Sequence, residues 1–291
     1  MNAVLQYTVQ GLAAGSFYAL AALGLAIIFG VLGVVNFAHG AFYMLGAVAA
    51  AVLLAETEGW LNLWWALLLV PLLMFLFGVV VERLLIQWLL PLDPLYNFLL
   101  TFGLTLVLVE VVKQRYGVSG LPYSRPDLLQ GRIDVFGVVL PKYQLFVFGF
   151  SLLVCLLVWL LMTRTRIGMI VRASTEKPDL ARALGINVGR WVTPVFGFGV
   201  ALAGLAGVLA APFRAITADM GSNFIIILFA VVVIGGLGSI VGAVVGGFLV
   251  GLVEAFGQAY APTFAQIAIF VLMAVVVLVR PAGLFGREEA A

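Results

Sequence analysis

Residues 164–191 read RTRIGMIVRASTEKPDLARALGINVGRW, and this stretch decides how the chain is organised because the sequence on both sides of it is almost uniformly apolar. The stretch carries six of the fifteen lysine and arginine residues, against two acids. Basic residues near the ends of membrane helices resist translocation. It is therefore predicted to be a cytoplasmic loop between two membrane spans.

A short helix with an apolar face is predicted inside this loop. Thr175 is placed to cap the helix, Glu176 falls in its first turn, and Gly185 is placed to end it. Helical periodicity puts three apolar residues of this segment on one face: Leu180, Ala181 and Leu184. A small apolar face in basic surroundings is a surface that a partner protein can grip.

Composition places the chain in the membrane. It is 64% hydrophobic and 10% charged, whereas soluble proteins average about 45–50% and about 25%. The net charge of +2 is too small to imply nucleic acid, and the lone Cys155 excludes an internal disulfide. We expect no cleavable signal peptide, because the first apolar run is long enough to span and lacks a basic region before it.

About 20 apolar residues cross the hydrocarbon core, and seven runs approach or exceed that length: 7–35, 37–55, 61–81, 95–112, 144–162, 192–211 and 264–279. Residues 224–260 are too long for one span and too short for two relaxed ones. The polar stretch 117–143 is predicted to be a loop with short strand-like or helical pieces. The predicted fold is an all-α polytopic membrane protein, a bundle of eight or nine transmembrane segments with re-entrant or broken helices, in one domain over residues 1–291.

The predicted orientation follows from the basic loop. With that loop inside, the N-terminus falls outside, and so do the connecting stretches 117–143 and 212–223. Arg280 and Arg287 favour a cytoplasmic C-terminus. Residues 224–260 must then reverse direction, either as two short spans or as one span and a re-entrant half-helix.

Asn36–Gly40 interrupts two apolar runs and holds the only histidine, His39. Asn36 is predicted to cap a helix that starts at Phe37. Such a helix end can line a substrate path, where its partial positive charge suits a carboxylate; the alternative is a satisfied turn at a membrane boundary. A metal role for His39 is not expected, since the chain has no second histidine.

Gly235, Gly236, Gly238 and Ser239 form a second interruption. Gly238, Gly242 and Gly246 recur every four residues, and glycines at that spacing usually make a packing seam between helices. Gly11 and Gly15 indicate a weaker seam of the same kind. A dense cluster can instead break a helix, and broken helices in transporters line the substrate site.

Two acids fall within or at the ends of apolar runs. Glu110 can pair with Lys113 one turn on, whereas Glu254 has no local basic partner. An acid in hydrocarbon costs roughly 2.5–3.5 kcal/mol on insertion scales, so it usually faces protein or water. Glu254 is therefore a candidate for the substrate path or for a proton or cation site.

Four separated motifs together resemble one known family. They are GLAAGSFYALAALGLAIIFGVLGVVNFAHGAFYMLGAV at 11–48, RASTEKPDLARALGIN at 172–187, VIGGLGSIVGAVVGGFLVGLVEA at 233–255 and VRPAGLFGR at 279–287. The chain resembles the permeases of high-affinity branched-chain amino acid ABC importers. The resemblance covers essentially the whole chain in order.

The resemblance implies a complex of this chain with a paralogous permease, two cytoplasmic ATP-binding subunits and a periplasmic or lipid-anchored solute-binding protein, in the inner membrane of a bacterium or archaeon. ATP and Mg²⁺ are then used by the partner subunits, and this chain binds no cofactor. The loop 164–191 is the coupling loop, and its implied ATPase-coupling residues are Thr175, Glu176, Leu180, Ala181, Leu184, Gly185 and Asn187. The residues expected along the translocation path are Asn36, His39, Gly40, Gly235, Gly236, Gly238, Ser239 and Glu254.

Other functions stay open on the sequence. The same family includes permeases for urea, short amides and other amino acids. A secondary transporter would use an ion gradient through Glu110 or Glu254, and a channel would be lined by the glycine seams. Enzyme chemistry is not indicated, and the chain has no GxxxxGK[ST] loop for ATP.

Overall fold

A computed structural model describes residues 2–33, 35–57, 62–123, 127–135, 138–176 and 178–286. Their α-helices are α1 Asn2–Leu32, α2 His39–Glu56, α3 Leu63–Leu84, α4 Pro94–Tyr116, α5 Lys142–Arg164, α6 Arg166–Glu176, α7 Pro178–Ala183, α8 Val188–Ala210, α9 Met220–Gly235, α10 Ile240–Tyr260 and α11 Ala265–Val279. One antiparallel hairpin, β1 Arg132–Val135 and β2 Val138–Pro141, lies within the polar stretch between α4 and α5.

Eight of the described helices are long and apolar enough to cross a membrane, which confirms the predicted all-α polytopic fold. The seven predicted runs each correspond to one of them. The ambiguous stretch 224–260 is a helical pair that reverses direction between α9 and α10. With 16 residues, α9 is roughly 24 Å long, shorter than a hydrocarbon core of about 30 Å.

Contacts between distant segments define the two ends of the bundle. At one end, Leu121 donates its N–H to the carbonyl of Ile216 at 2.9 Å, which joins the stretch after α4 to the loop after α8. We call this the hairpin end. At the other end, the C-terminal tail folds back, and Leu284 donates to the carbonyl of Ile234 at 2.9 Å. The helices α6 and α7, which belong to the basic stretch 164–191, also lie at this end, directly before the start of α8. We therefore call it the basic end.

The segments that were predicted to share one side of the membrane therefore share one end of the bundle. Residues 117–123 and 211–219 lie at the hairpin end. The α9–α10 turn, α6, α7 and the tail lie at the basic end. Which end faces the cytoplasm stays a prediction from the basic residues.

Helix α1 forms the centre of the bundle, and its residues from 17 to 28 are almost completely buried. Glycines let α10 approach its backbone. A Cβ atom added at Gly15 would lie 2.8 Å from the Cα of Phe248, and one added at Gly251 would collide with the backbone of Gly11 and Gly15. The seam predicted at Gly11 and Gly15 is confirmed, and glycines of α10 form its other half.

Helix α8 packs against α1, α2 and α3 through further close approaches, such as Gly204 against Gly46. The helices α3, α4, α5 and α11 stand at the periphery and leave large apolar side chains exposed, including Leu68, Leu99 and Val271. An apolar outer surface of this kind is what a lipid bilayer requires.

Candidate functional site

One polar contact joins three segments that are far apart in the sequence. Tyr18 on α1 donates its hydroxyl to Glu254 Oε2 on α10 at 2.7 Å. Arg214, from the loop between α8 and α9, places Nη2 3.4 Å from Glu254 Oε1 and 3.3 Å from the Tyr18 hydroxyl oxygen. Gln258 Nε2 donates to the same Glu254 Oε1 at 3.2 Å. We call Tyr18, Arg214 and Glu254 the charged cluster.

The cluster explains how an acid is held in this bundle. The Glu254 side chain is 13% exposed and Tyr18 is fully buried, so the carboxylate keeps little contact with solvent. The guanidinium and the phenol replace the lost water. Burial lowers the pKa of Arg214, but the negative charge of Glu254 and the hydrogen bond that Arg214 donates to the Tyr18 oxygen oppose it, so this pKa lies above its ordinary value and the guanidinium stays charged.

Two cavities meet at the charged cluster, one of about 580 Å³ and one of about 510 Å³. Arg214, Glu254 and Gln266 line both of them. The larger cavity has a polar wall with four glutamines: Gln10, Gln144, Gln258 and Gln266. The smaller one is mainly apolar, and its hydrophobic lining includes Met220, Phe224, Ile226, Ile227, Ile269 and Phe270.

Stacked aromatic rings form one side of the smaller cavity. Tyr18 stacks on Phe224 with ring centroids 5.4 Å apart, and Tyr43 stacks on the same phenylalanine at 3.8 Å. Tyr43 lines the cavity. Its buried hydroxyl has no hydrogen-bond partner among the described residues, so a polar donor is held beside the charged cluster without being used by the fold.

Of the predicted pathway residues, Glu254 lies at these cavities. Arg214, Tyr18 and Tyr43 were missed. In the sequence, Tyr18 and Tyr43 are ordinary aromatic residues within apolar runs, and Arg214 is a charged residue in a connecting loop, so none of the three stands out. The available signal was Glu254 itself, because an acid without a local partner implies a distant base.

The Asn36–Gly40 interruption lies inside the bundle, against α1 and the start of α9. Helix α2 starts at His39 rather than at Phe37, so the predicted capping position is wrong; Asn36 Oδ1 accepts the N–H of Ala38 at 3.0 Å, ahead of the helix. His39 Nε2 lies 2.9 Å from the carbonyl oxygen of Ala21, well before the end of α1. Helix α2 therefore begins part-way along α1, and Gly40 packs against the backbone of Gly221.

Several polar atoms at this interruption remain buried. Asn36 is 3% exposed and His39 is fully buried, and neither Asn36 Nδ2 nor His39 Nδ1 has a hydrogen-bond partner among the described residues. The geometry is that of a tight turn that starts a helix inside the bundle. Contact of Asn36, His39 and Gly40 with substrate stays a prediction.

The second interruption breaks the helix, which is one of the two possibilities that the sequence left open. Gly236 and Gly238 have φ of 104° and 76°, a region that favours glycine, and Ser239 Oγ accepts the N–H of Gly242 at 3.0 Å to cap α10. The carbonyl of Gly235 accepts from Phe285 of the C-terminal tail at 3.0 Å. The break lies at the basic end, against the tail, and a place along the substrate path stays a prediction for it.

The coupling loop contains two helices where one was predicted. Thr175 and Glu176 belong to the last turn of α6, and α7 begins at Pro178, so the predicted cap at Thr175 is wrong. The predicted end is confirmed. Gly185 has φ of 84° and donates to the carbonyl of Arg182 at 2.9 Å, while Ile186 donates to the carbonyl of Ala181 at 3.0 Å.

The apolar face of α7 is smaller than predicted. Leu180 is 55% exposed and Leu184 is 74% exposed, but Ala181 is only 2% exposed. Ala181 packs inward and cannot contact a partner, so the exposed apolar surface consists of the two leucines. Asn187 caps α8 through Oδ1, which accepts the N–H of Arg190 at 3.3 Å.

Glu110 makes a different contact from the one predicted. Lys113 pairs with Asp219 at 2.9 Å, and the exposed Glu110 accepts from Gln114 within α4 at 3.2 Å. The described residues contain no group of three or more His, Cys, Asp or Glu side chains that could hold a metal ion.

Comparison of the sequence with known proteins identifies the family of this chain. The profile described as "Branched-chain amino acid transport system / permease component" matches residues 7–280. The chain belongs to this permease family. Its members are transport components, so this permease is a transport subunit rather than an enzyme.

Curated relatives of the permease match over nearly their full length. The chain is 33% identical to the high-affinity branched-chain amino acid transport system permease protein BraD of Pseudomonas aeruginosa, over 98% of this chain and 96% of BraD. It is 30% identical to LivH of Escherichia coli with the same coverage. A probable LivH from Methanocaldococcus jannaschii is 30% identical over 92% of this chain and 88% of the relative. No solved structure matches the permease.

Proposed function

We propose that this chain is a permease subunit of an ABC importer that carries leucine, isoleucine and valine across the inner membrane by ATP-driven alternating access. The observation that carries the proposal is the family match over residues 7–280, with relatives of high-affinity branched-chain amino acid systems aligned along almost the whole chain. The apolar cavity beside Glu254 suits an aliphatic side chain.

The energy enters through partner subunits. The exposed Leu180 on α7 and Leu184, the residue directly after α7, dock in a groove of a cytoplasmic ATP-binding subunit, with ATP and Mg²⁺ bound there. Two such subunits serve two permeases, this chain and a paralogue. ATP binding closes the subunits, and the docked helices switch the permeases between inward and outward access.

The proposed orientation puts the basic end in the cytoplasm and the hairpin end outside. The loops of the hairpin end then receive a periplasmic or lipid-anchored solute-binding protein that delivers the amino acid. The charged cluster lies close to that end, because Arg214 belongs to the loop that follows α8.

Purification of the chain from its native membrane in mild detergent, with mass spectrometry of the associated proteins, tests the assembly. The proposal predicts two ATP-binding subunits and a second permease in the complex. Uptake of labelled leucine, isoleucine and valine by the reconstituted complex, with urea and short amides as competitors, tests the substrate. Strong competition by urea would instead favour a permease for urea within the same family.

A further inference from the structure

The ion pair between Arg214 and Glu254 is loose. The two side chains meet at a single 3.4 Å contact, and among the described residues the guanidinium makes its hydrogen bonds through Nη2 alone. Arginine and a carboxylate reach their strongest geometry with two parallel bonds at about 2.7–2.9 Å. This guanidinium therefore has capacity to take a second carboxylate.

The two oxygens of Glu254 are held differently. Oε2 accepts the short bond from the buried Tyr18 hydroxyl, which fixes the carboxylate in place. Oε1 is shared between the long contact with Arg214 and the bond from Gln258. An incoming ammonium group can take Oε1 while Tyr18 still holds the side chain, so the carboxylate offers a prepared position for a cation.

The cluster also lies where an amphiphilic solute would need it. On one side is the glutamine-lined cavity, and on the other is the apolar cavity with its aromatic wall. A solute with a charged head and an aliphatic tail would keep its head at the junction and its tail among Ile226, Ile227 and Ile269. The buried Tyr43 hydroxyl, which has no hydrogen-bond partner among the described residues, lies next to this junction.

We propose that Arg214 and Glu254 form a transient binding site for the head group of an α-amino acid, with the guanidinium on the carboxylate and Glu254 Oε1 on the ammonium. The internal ion pair is exchanged for two pairs with the zwitterion, so no charge is left buried without a partner. This inference rests on the proposed function in taking amino acids as the solutes.

Ligand binding to the complete transporter, purified without the binding protein, tests the site. The probe is tritiated leucine, displaced by leucine, by 4-methylpentanoate, which lacks the ammonium, or by 3-methylbutylamine, which lacks the carboxylate. We expect each analogue to bind the unmodified complex at least tenfold more weakly than leucine. Failure of leucine to bind at all would overturn the site.

Variants separate recognition of the head group from a structural role. Glu254→Gln should weaken leucine binding at least tenfold but change the affinity of 4-methylpentanoate less than threefold. Arg214→Gln should weaken leucine binding similarly but spare 3-methylbutylamine. The matched control is Glu110→Gln, since Glu110 is an exposed acid bonded within its own helix. Equal losses for all three ligands, or no loss, would overturn the proposal.

If the neutral variants fail to assemble, Arg214→Lys keeps the charge but loses the fork of donors, and it should weaken leucine and 4-methylpentanoate together while sparing the amine. An effect of Arg214→Lys on the amine alone would contradict the assignment.

The outcomes also separate this site from the proposed function. If leucine uptake does not depend on Arg214 and Glu254, the binding site is refuted but the proposed function stands. If a different amino acid shows this dependence on both head groups, the site stands and the assignment to branched-chain amino acids is refuted.

Discussion

Replacing Leu180 and Leu184 together by aspartate should uncouple the permease from its ATP-binding subunits. The two leucines are 55% and 74% exposed, and complete burial of a leucine is worth about 1.5–3 kcal/mol. Burying their exposed parts in a partner's groove therefore contributes about 2–4 kcal/mol, so their loss should weaken the contact by roughly 30- to 800-fold. Two buried carboxylates would add to that loss.

The assay is pull-down of the ATP-binding subunits by tagged permease over a concentration series, together with leucine uptake. The double variant should insert and fold normally, because both side chains already face outward. Leu128→Asp is the matched control for subunit binding, since Leu128 is 75% exposed but lies at the hairpin end, away from the proposed contact with the ATP-binding subunits. Normal subunit binding and uptake by the double variant would refute the docking role of α7.

Three further substitutions test other parts of the account. Gly251→Val should separate α1 from α10 and lower the folded yield and the Tm of the complex, at a cost of about 1–3 kcal/mol or more, whereas Gly103→Val, where an added Cβ meets nothing within 4 Å, should have no such effect. Ser239→Ala should remove the cap of α10 and destabilise the α9–α10 turn by about 1 kcal/mol; an unchanged Tm would show that the cap is dispensable. Gly185→Ala should cost about 1–2 kcal/mol at a positive φ and reduce coupling without reducing insertion, measured as the ratio of ATP hydrolysed to leucine transported.

The membrane spans were predictable because hydropathy and length act locally. Each long apolar run became one helix. The dense glycines at 235–239 were compatible with a packing seam or a break, and they form a break because two of them adopt positive φ. Gly185 was equally readable as a helix end. The glycines of α1 indicated a bare face, but the identity of the helix that fills it depends on the three-dimensional arrangement.

The parts that could not be predicted depend on depth and on distant contacts. Periodicity placed Leu180 and Ala181 on one face of α7, but only the packed structure shows that Ala181 is buried. The start of α2 beside Ala21 follows from how the chain folds back along α1. The charged cluster joins residues separated by 40 and 236 positions, and no local pattern connects them.

Accumulation of leucine in proteoliposomes that contain the purified complex tests the central claim most directly. With the binding protein outside and ATP inside, labelled leucine should rise above its external concentration, and it should stay at the external concentration when ATP is replaced by ADP. Equilibration of leucine through this chain alone, or accumulation driven by a proton or sodium gradient without ATP, would contradict the account.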